Sequence, residues 1–136
     1  METITLLTIR EAAERTGLTA HTLRFYERIG LLEPIARGAG GHRRYRDQDL
    51  GWIRLMICLR KSGMPIRTLQ EFARLQREGD PSGERRRAIL EQHRRDALAM
   101  IEEISTHLAV VERKLESFER LRQTWDESTA PAESRH

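Results

Sequence analysis

The sequence predicts a mostly helical protein in which a winged helix-turn-helix unit precedes one long helix. Two short helices separated by a glycine are predicted over residues 8–28, and a glycine- and arginine-rich hairpin follows at residues 37–46. Residues 84–125 contain neither glycine nor proline, which predicts one uninterrupted helix. These patterns divide the chain into a winged helix-turn-helix domain at residues 1–80, a coiled-coil dimerisation helix at 81–125 and a disordered tail at 126–136.

The two short helices are predicted from their capping residues. Thr8 followed by Glu11 matches a capping box, and Gly17 provides a residue that adopts a positive φ at little cost. Thr19 is expected to cap the second helix, on which Leu23 faces inward. The second helix of such a pair enters the DNA major groove, so its outward residues are candidate DNA contacts. They are Thr19, His21, Thr22, Arg24 and Tyr26.

The hairpin favours DNA binding over the alternative of an ordinary surface helix with solvated charges. The stretch from Arg37 to Arg46 holds four arginines and no acid. Glycines at 38, 40 and 41 predict a tight turn between two short strands, which would form a wing beside the second helix. Guanidinium groups match phosphate oxygens in geometry and charge. The candidate wing contacts are His42, Arg43, Arg44 and Tyr45, and Arg60 and Lys61 of the next helix complete the predicted DNA-binding set.

Two further helices and a turn are predicted after the wing. Asp47 is expected to cap a third helix that runs to about Ser62 and ends at Gly63. A fourth helix should begin at Pro65 and Ile66 and end near residue 76. A turn at residues 78–83 follows, in which Asp80 or Ser82 would cap the long helix.

The long helix carries a seam of apolar residues at alternating steps of three and four. Such a heptad seam is typical of a coiled coil. Too little chain remains to cover a seam of this length within one subunit, so a second copy of the chain is the expected partner, and a helix folded onto its own domain is the alternative. The predicted dimerisation residues are Leu90, Ala97, Ile101, Ile104, Leu108, Val111, Leu115 and Phe118.

Composition agrees with a small cytoplasmic DNA-binding protein. The 136 residues carry a net charge of +3, and residues 1–80 hold 14 basic against 10 acidic side chains. No apolar run is long enough to span a membrane and no signal peptide is evident, which predicts a cytoplasmic protein. The single cysteine cannot form an intrachain disulfide, and no two of the five histidines are paired at helical spacing. We therefore expect no metal and no cofactor.

Residues 8 to about 76 resemble the DNA-binding domain of the MerR family of bacterial transcription regulators. The matching stretches are Ile9-Arg-Glu-Ala-Ala13, Gly17-Leu-Thr, Leu23-Arg-Phe-Tyr-Glu-Arg-Ile-Gly-Leu-Leu32, Gly41-His-Arg-Arg-Tyr45 and Gly63-Met-Pro-Ile66. His42 departs from the pattern, because many members carry tyrosine there. The resemblance implies an antiparallel coiled-coil homodimer that binds double-stranded promoter DNA at a near-palindromic operator. It also implies that the dimer distorts the promoter for RNA polymerase.

Cys58 has two interpretations. A lone cysteine among Met56, Ile57 and Leu59 is typically a small buried hydrophobe. Arg54 and Lys61 lie at helical spacing from it, and nearby cations favour the thiolate, which is the nucleophile.

The stretches from Asp49-Leu-Gly-Trp-Ile to Cys58-Leu-Arg-Lys-Ser-Gly63, and Glu78-Gly-Asp80, resemble a branch of the MerR family that responds to aldehydes and other electrophiles, including nitrosative stress, through one cysteine. That resemblance implies an effector-sensing role for Cys58.

Three alternatives to the cysteine switch remain. The first is a related regulator with a structural cysteine, switched by a noncovalent small ligand lodged beside Trp52 and the start of the long helix. Trp52 itself is expected to be mainly a packing residue. The second is a coiled-coil adaptor whose basic surface binds acidic protein. A thiol-dependent enzyme is the third, and we expect no enzyme, because nothing beside Cys58 in the sequence supplies a base or a second thiol.

Overall fold

The computed structural model describes residues 6–33, 37–38, 40–41 and 44–129. These residues form five helices, which we number in chain order. They are α1 (Ile9–Thr16), α2 (Ala20–Arg28), α3 (Asp47–Lys61), α4 (Ile66–Glu78) and α5 (Glu84–Thr129).

The part of the wing that the structure describes is a turn rather than a pair of strands. In the described residues the extended backbone forms only isolated bridges, such as the antiparallel one between Leu7 and Tyr45, whose N–H groups donate to each other's carbonyls at 2.8 Å. The Gly41 N–H donates to the Gly38 carbonyl at 3.1 Å, and Arg37 Nη1 donates to the Gly41 carbonyl at 2.7 Å. The predicted wing residues His42 and Arg43 lie outside the described residues.

The first two helices begin and end where their capping residues predict. Thr8 Oγ1 accepts from the Glu11 N–H at 3.2 Å, and a Glu11 carboxylate oxygen accepts from the Thr8 N–H at 3.1 Å, which completes the capping box. Gly17 follows α1 with φ +77° and donates to the Ala13 carbonyl, so the turn needs a left-handed residue at that position. Thr19 Oγ1 accepts from the Thr22 N–H at 3.1 Å and caps α2.

The start of α3 differs by one residue from the prediction. Asp47 is the first helical residue, and the N-cap is Arg46, so Asp47 does not cap the helix. The Asp49 carboxylate instead accepts from the Arg46 N–H at 2.8 Å. Ser62 and Gly63 end α3 as predicted, and the Met64 N–H returns to the Leu59 carbonyl at 2.9 Å.

The chain divides into two compact units, Met1–Arg94 and Arg95–His136. The first unit has its own apolar core in two clusters. One cluster joins α1, α2 and the start of α3, and the other joins the end of α3 and the first half of α4. Tyr26 and Trp52 are half-buried and pack against both clusters, so the two parts of the core are continuous. The largest fully buried side chains are Leu7, Leu23, Leu31, Tyr45, Ile53, Met56, Met64 and Leu69.

The second unit is the remainder of α5. None of the residues of α5 is fully buried within the described chain. The helix continues to Thr129, so residues 126–129 are helical and not part of a disordered tail; residues 130–136 lie outside the described residues. Among the described helices, none has an apolar stretch that could cross a membrane.

Candidate functional site

The outward face of α2 is the first part of the candidate site. His21 and Arg24 are exposed, and so is Arg28, whose guanidinium lies 5.9 Å from the centre of the Phe25 ring. The first turn of the helix contains no acid. Leu23 is fully buried on the opposite side, which fixes the orientation of this face. The helix therefore presents cationic and polar groups to solvent, as the sequence predicts.

The threonine hydroxyls and Tyr26 are less available than the sequence suggests. Thr19 Oγ1 accepts from the Thr22 N–H and donates to Thr22 Oγ1 at 2.9 Å, so both hydroxyls take part in the cap. Tyr26 is half-buried, since its ring packs against both core clusters.

The wing needs one correction. Tyr45 is fully buried in the first core cluster, so its side chain is not presented to DNA as predicted. Its ring packs inward because Tyr45 lies in the bridge to Leu7, which is also in that cluster. Arg44 is half-buried, and its side chain passes so close to Gly38 that a Cβ there would lie 3.0 Å from Arg44 Cγ.

Cys58 lies on an exposed face at the end of α3. Its side chain is exposed, which contradicts the interpretation as a small buried hydrophobe. Arg54, Arg60 and Lys61 are also exposed on this helix. Ser62 Oγ, one turn further on, donates to the Cys58 carbonyl at 2.7 Å and lies 2.8 Å from His93 Nε2. The helix end that carries the thiol is therefore in polar contact with α5.

His93 is a contact that the sequence did not predict. His107 is exposed, but His93 is half-buried beside Ser62. Thirty-one residues separate the two partners, so no local pattern could have identified the contact.

Asp80 anchors the start of α5. Its carboxylate accepts from the backbone N–H groups of Arg86 at 3.0 Å and Arg85 at 3.4 Å, and from Arg86 Nε at 3.3 Å. These hydrogen bonds, the one from the Arg86 backbone above all, hold the pKa of Asp80 below its ordinary value. Ser82, the other predicted cap, accepts from the Glu84 N–H at 3.4 Å.

A cavity of about 340 Å³ opens beside Trp52. The Trp52 indole stacks on Phe72 with ring centres 5.7 Å apart, which confirms the predicted packing role. Both apolar and polar side chains line the cavity. Its lining residues are Leu31, Leu32, Glu33, Arg46, Gln48, Asp49, Trp52, Ala73, Gln76 and Arg77.

The predicted dimerisation residues form an exposed apolar face on α5. Ile101 and Leu115 are 61% and 62% exposed, and only Ala97 of the predicted set is half-buried. Trp125, one heptad beyond Phe118, is 67% exposed and extends the seam. A soluble helix rarely leaves so many large apolar groups in water unless another surface covers them. Within the described residues, no three His, Cys, Asp or Glu side chains are grouped as metal ligands would be.

A family model of MerR HTH family regulatory proteins matches residues 7–76, from the Leu7 bridge through most of α4. The chain belongs to the MerR family. Its function is therefore that of a DNA-binding transcription regulator and not of an enzyme.

Relatives extend this similarity beyond the DNA-binding domain. An uncharacterised HTH-type transcriptional regulator of Haemophilus influenzae is 35% identical over 113 residues, which are 83% of this chain and 84% of that protein. The HTH-type transcriptional regulator AdhR of Bacillus subtilis is 42% identical over 88 residues, 65% of this chain and 63% of that protein.

Two solved structures share the architecture along nearly the whole chain. HiNmlR, described as a MerR family regulator lacking the sensor domain and bound to promoter DNA, superposes with a TM-score of 0.81 at 34% identity, over 88% of this chain and 94% of that one. A MerR family regulator from Listeria monocytogenes gives a TM-score of 0.82 at 34% identity, over 89% and 92% of the two chains. Both similarities include the long helix.

Proposed function

We propose that this MerR family protein binds a near-palindromic promoter operator as a homodimer and distorts the promoter for RNA polymerase. The observation that carries the proposal is the cationic outward face of α2, with His21 and Arg24 exposed and Leu23 buried behind them. A capped helix that is fixed to its own core can present these groups to base edges and phosphates. HiNmlR, which shares the fold at 34% identity, was solved on promoter DNA.

The exposed seam of α5 supports a second copy as the dimer partner. An antiparallel arrangement can pair Ile101 with Phe118, Ile104 with Leu115 and Leu108 with Val111, which keeps the layers apolar. The same arrangement places Met100 and Leu121, exposed beside the seam, against each other.

A parallel arrangement in register would instead bring Met100 beside Ser105 of the partner subunit. The antiparallel dimer therefore covers more of the exposed apolar surface.

DNA binding is tested by footprinting the purified protein on the DNA upstream of its own gene, followed by titrations of the operator at several salt concentrations. Arg24→Ala should weaken binding and reduce the salt slope by about one unit if the side chain contacts a phosphate, or relax sequence preference if it contacts a base edge. Arg113→Ala, an exposed arginine on α5, is the matched control and should change neither. Unchanged affinity and preference for Arg24→Ala would contradict the assignment of α2.

We infer that an electrophile switches the regulator by modifying Cys58. The thiolate would add to an aldehyde carbon and form a C–S bond, while the carbonyl oxygen takes up a proton, giving a hemithioacetal. The exposure of Cys58 supports access for such a reagent. An adduct at this position would lie one helical turn from Ser62, whose contact with His93 joins α3 to α5.

The switch is tested by promoter output with and without formaldehyde or methylglyoxal. Cys58→Ser should keep dimerisation and operator binding but lose the response. Lys61→Arg is the control, because it removes a neighbouring amine that also reacts with aldehydes and keeps the charge; its response should persist. An undiminished response from Cys58→Ser would show that Cys58 is not the sensor.

A noncovalent ligand in the cavity beside Trp52 is the second candidate for the effector. The cavity volume is at the lower end of the range for small-molecule sites, and its mixture of apolar and polar lining residues suits an amphipathic molecule. If a noncovalent ligand is the effector, the Cys58→Ser variant should respond to it as strongly as the wild type. This ligand would change the fluorescence of Trp52 in a Trp125→Phe background, where Trp52 is the single tryptophan.

A further inference from the structure

The linker that follows α2 is held by side chains from two other helices. The helix ends at Arg28, and Gly30 adopts φ +83°. The Gly30 N–H donates to the Glu27 carbonyl at 3.2 Å, and the Leu31 N–H donates to the Tyr26 carbonyl at 2.9 Å. This glycine-centred cap satisfies the last carbonyls of the helix from within the turn. The carbonyls of residues 29–31 lie beyond the helix and need partners from elsewhere.

Three donors supply those partners, one for each consecutive carbonyl. Gln70 Nε2 donates to the Ile29 carbonyl at 2.9 Å and Arg77 Nη1 donates to the Gly30 carbonyl at 2.7 Å, both from α4. Trp52 Nε1 donates to the Leu31 carbonyl at 2.7 Å from α3. Gln70 and Arg77 are two turns apart on α4, so they reach the same side of that helix about 10 Å from each other. We call these three side chains the linker clamp.

We propose that the linker clamp sets the orientation of α2 on the rest of the domain and thereby determines how well the protein discriminates its operator. Side chains on α2 must reach base edges within a few tenths of an ångström for specific hydrogen bonds, whereas phosphate contacts tolerate more movement. The cavity beside Trp52 and Arg77 leaves space next to the linker, so the linker is not held by close packing alone on that side. Leu31 and Leu32 bury their side chains in the two core clusters, and the hydrogen bonds from α3 and α4 add a directional restraint on the backbone of the linker.

The clamp also provides a route from the rest of the protein to the DNA-reading helix. Trp52 stacks on Phe72 of α4, and both pack in the second core cluster, against which Ile89 of α5 also packs. A shift of α4 relative to α3 would therefore move Gln70 and Arg77 relative to Trp52, and with them the carbonyls of the linker that they hold. Gln70, Arg77 and Trp52 are positioning residues in this scheme, and none of them needs to contact DNA.

Gln70 and Arg77 can be replaced with little change in side-chain volume, whereas replacing Trp52 by Phe removes one fused ring. Gln70→Met removes the amide, Arg77→Met removes the guanidinium and keeps an unbranched stem, and Trp52→Phe keeps an aromatic ring against Phe72 without the N–H. Arg74→Met is the matched control on the same helix, because Arg74 pairs with Glu71 and Glu78 of α4 and not with the linker.

The measurement is the ratio of affinities for the footprinted operator and for an unrelated duplex of equal length, across a range of salt concentrations. We expect this ratio to fall about tenfold for Arg77→Met, as for the loss of one hydrogen bond from a charged group, and less for the two neutral donors. Affinity for the unrelated duplex and its salt slope should not change. Arg77→Lys, which keeps a charged donor, should recover part of the ratio, and Arg74→Met should leave it unchanged.

Several results would overturn this proposal, which depends on the DNA-binding function proposed above. An equal loss of affinity for both duplexes with a smaller salt slope would make Arg77 a phosphate contact. An unchanged ratio in all three clamp variants would show that the linker needs no clamp. If Arg77→Met does not fold, Trp52→Phe and Gln70→Met decide between these outcomes. A wild-type protein without preference for any duplex would instead refute the proposed function itself.

Discussion

Leu69 on α4 and Leu108 on α5 are the same residue type in the same kind of secondary structure, yet their surroundings are opposite. Leu69 is fully buried among Met56, Leu59 and Phe72, whereas Leu108 is 51% exposed. The contrast extends to the two units, because the first unit covers most of its large apolar side chains and the second unit covers almost none. The apolar core of the first unit forms within one chain, whereas the apolar face of the second unit needs a partner to cover it.

This difference predicts two kinds of stability. Folding of the first unit is unimolecular, since the partners of each core residue belong to the same chain. Burial of the α5 seam requires association, so its contribution depends on protein concentration. Binding to an operator with two half-sites then depends on both folding and dimerisation. Each half-site needs a folded first unit, and simultaneous binding of the two half-sites needs the dimer.

The helix α5 contributes residues to both units. Its first turns lie in the first unit, where Ile89 packs against the second core cluster and His93 contacts Ser62. From residue 95 onward its apolar residues are left for a partner.

The largest expected effect comes from placing a charge in the seam. Leu108→Glu would bury two carboxylates at the centre of the proposed dimer, at a cost of several kcal/mol. The protein should become monomeric in sedimentation experiments while its first unit stays folded, and operator affinity should fall with dimerisation. The matched control is Thr106→Glu, which introduces the same charge two residues away on the opposite face of α5. A dimeric Leu108→Glu protein would refute the seam.

Elements with local chemical causes could be predicted from the sequence. The caps at Thr8 and Thr19, the left-handed glycine at position 17 and the helix end at Gly63 were all predicted, because a cap needs only residues three or four positions apart. The long helix was predicted from the absence of glycine and proline, but its end was placed four residues too early. Nothing at Trp125 breaks the helix, which continues to Thr129, and the Thr129 hydroxyl donates to the Trp125 carbonyl at 2.8 Å.

Contacts between distant residues could not be predicted in this way. The donors of the linker clamp lie 21 to 47 residues from the carbonyls they bind, and polar side chains on α4 otherwise resemble a solvated face. Tyr45 was predicted as a DNA contact because arginines surround it, but its ring is buried, since the bridge to Leu7 turns it inward. Composition alone favours a buried Cys58, one of its two interpretations, but its side chain is exposed.

A smaller effect is expected for two neighbouring residues of α5, one in the core of the first unit and one at the start of the seam. Ile89 is half-buried against the core of the first unit, whereas Leu90 is 37% exposed at the start of the seam. Ile89→Ala should lower the free energy of unfolding by about 1–2 kcal/mol at every protein concentration. Leu90→Ala should instead raise the dissociation constant of the dimer. Urea unfolding at two protein concentrations, together with sedimentation, distinguishes the loss of folding stability from the loss of dimerisation. If the effect of Ile89→Ala depended on protein concentration, the dimer interface would begin before Leu90.

The smallest effect concerns the acid dependence of the first unit, where Asp80 holds the start of α5. Hydrogen bonds from the backbone of Arg86 and Arg85 and from the Arg86 side chain lower its pKa from the ordinary value of 3.8. A carboxylate whose pKa is lower in the folded state binds fewer protons there than in the unfolded state. Its contribution to stability is therefore complete above about pH 5 and disappears as the pH falls below 3.8 towards the folded-state pKa.

Asp80→Asn tests this contribution, because asparagine keeps one acceptor oxygen and cannot ionise. The urea midpoint of the variant should lie below that of the wild type at pH 7, and the gap should close as the pH is lowered from about 5 to about 2. Glu11 and Glu71 also have lowered pKa values, but both are present in the two proteins, so their titration cancels in the difference. Glu102→Gln, which removes an exposed carboxylate of α5 beyond the first unit, should leave the midpoint close to that of the wild type over the same range. A gap for Asp80→Asn that stays constant down to pH 2 would show that Asp80 acts through its neutral hydrogen bonds and not through its charge.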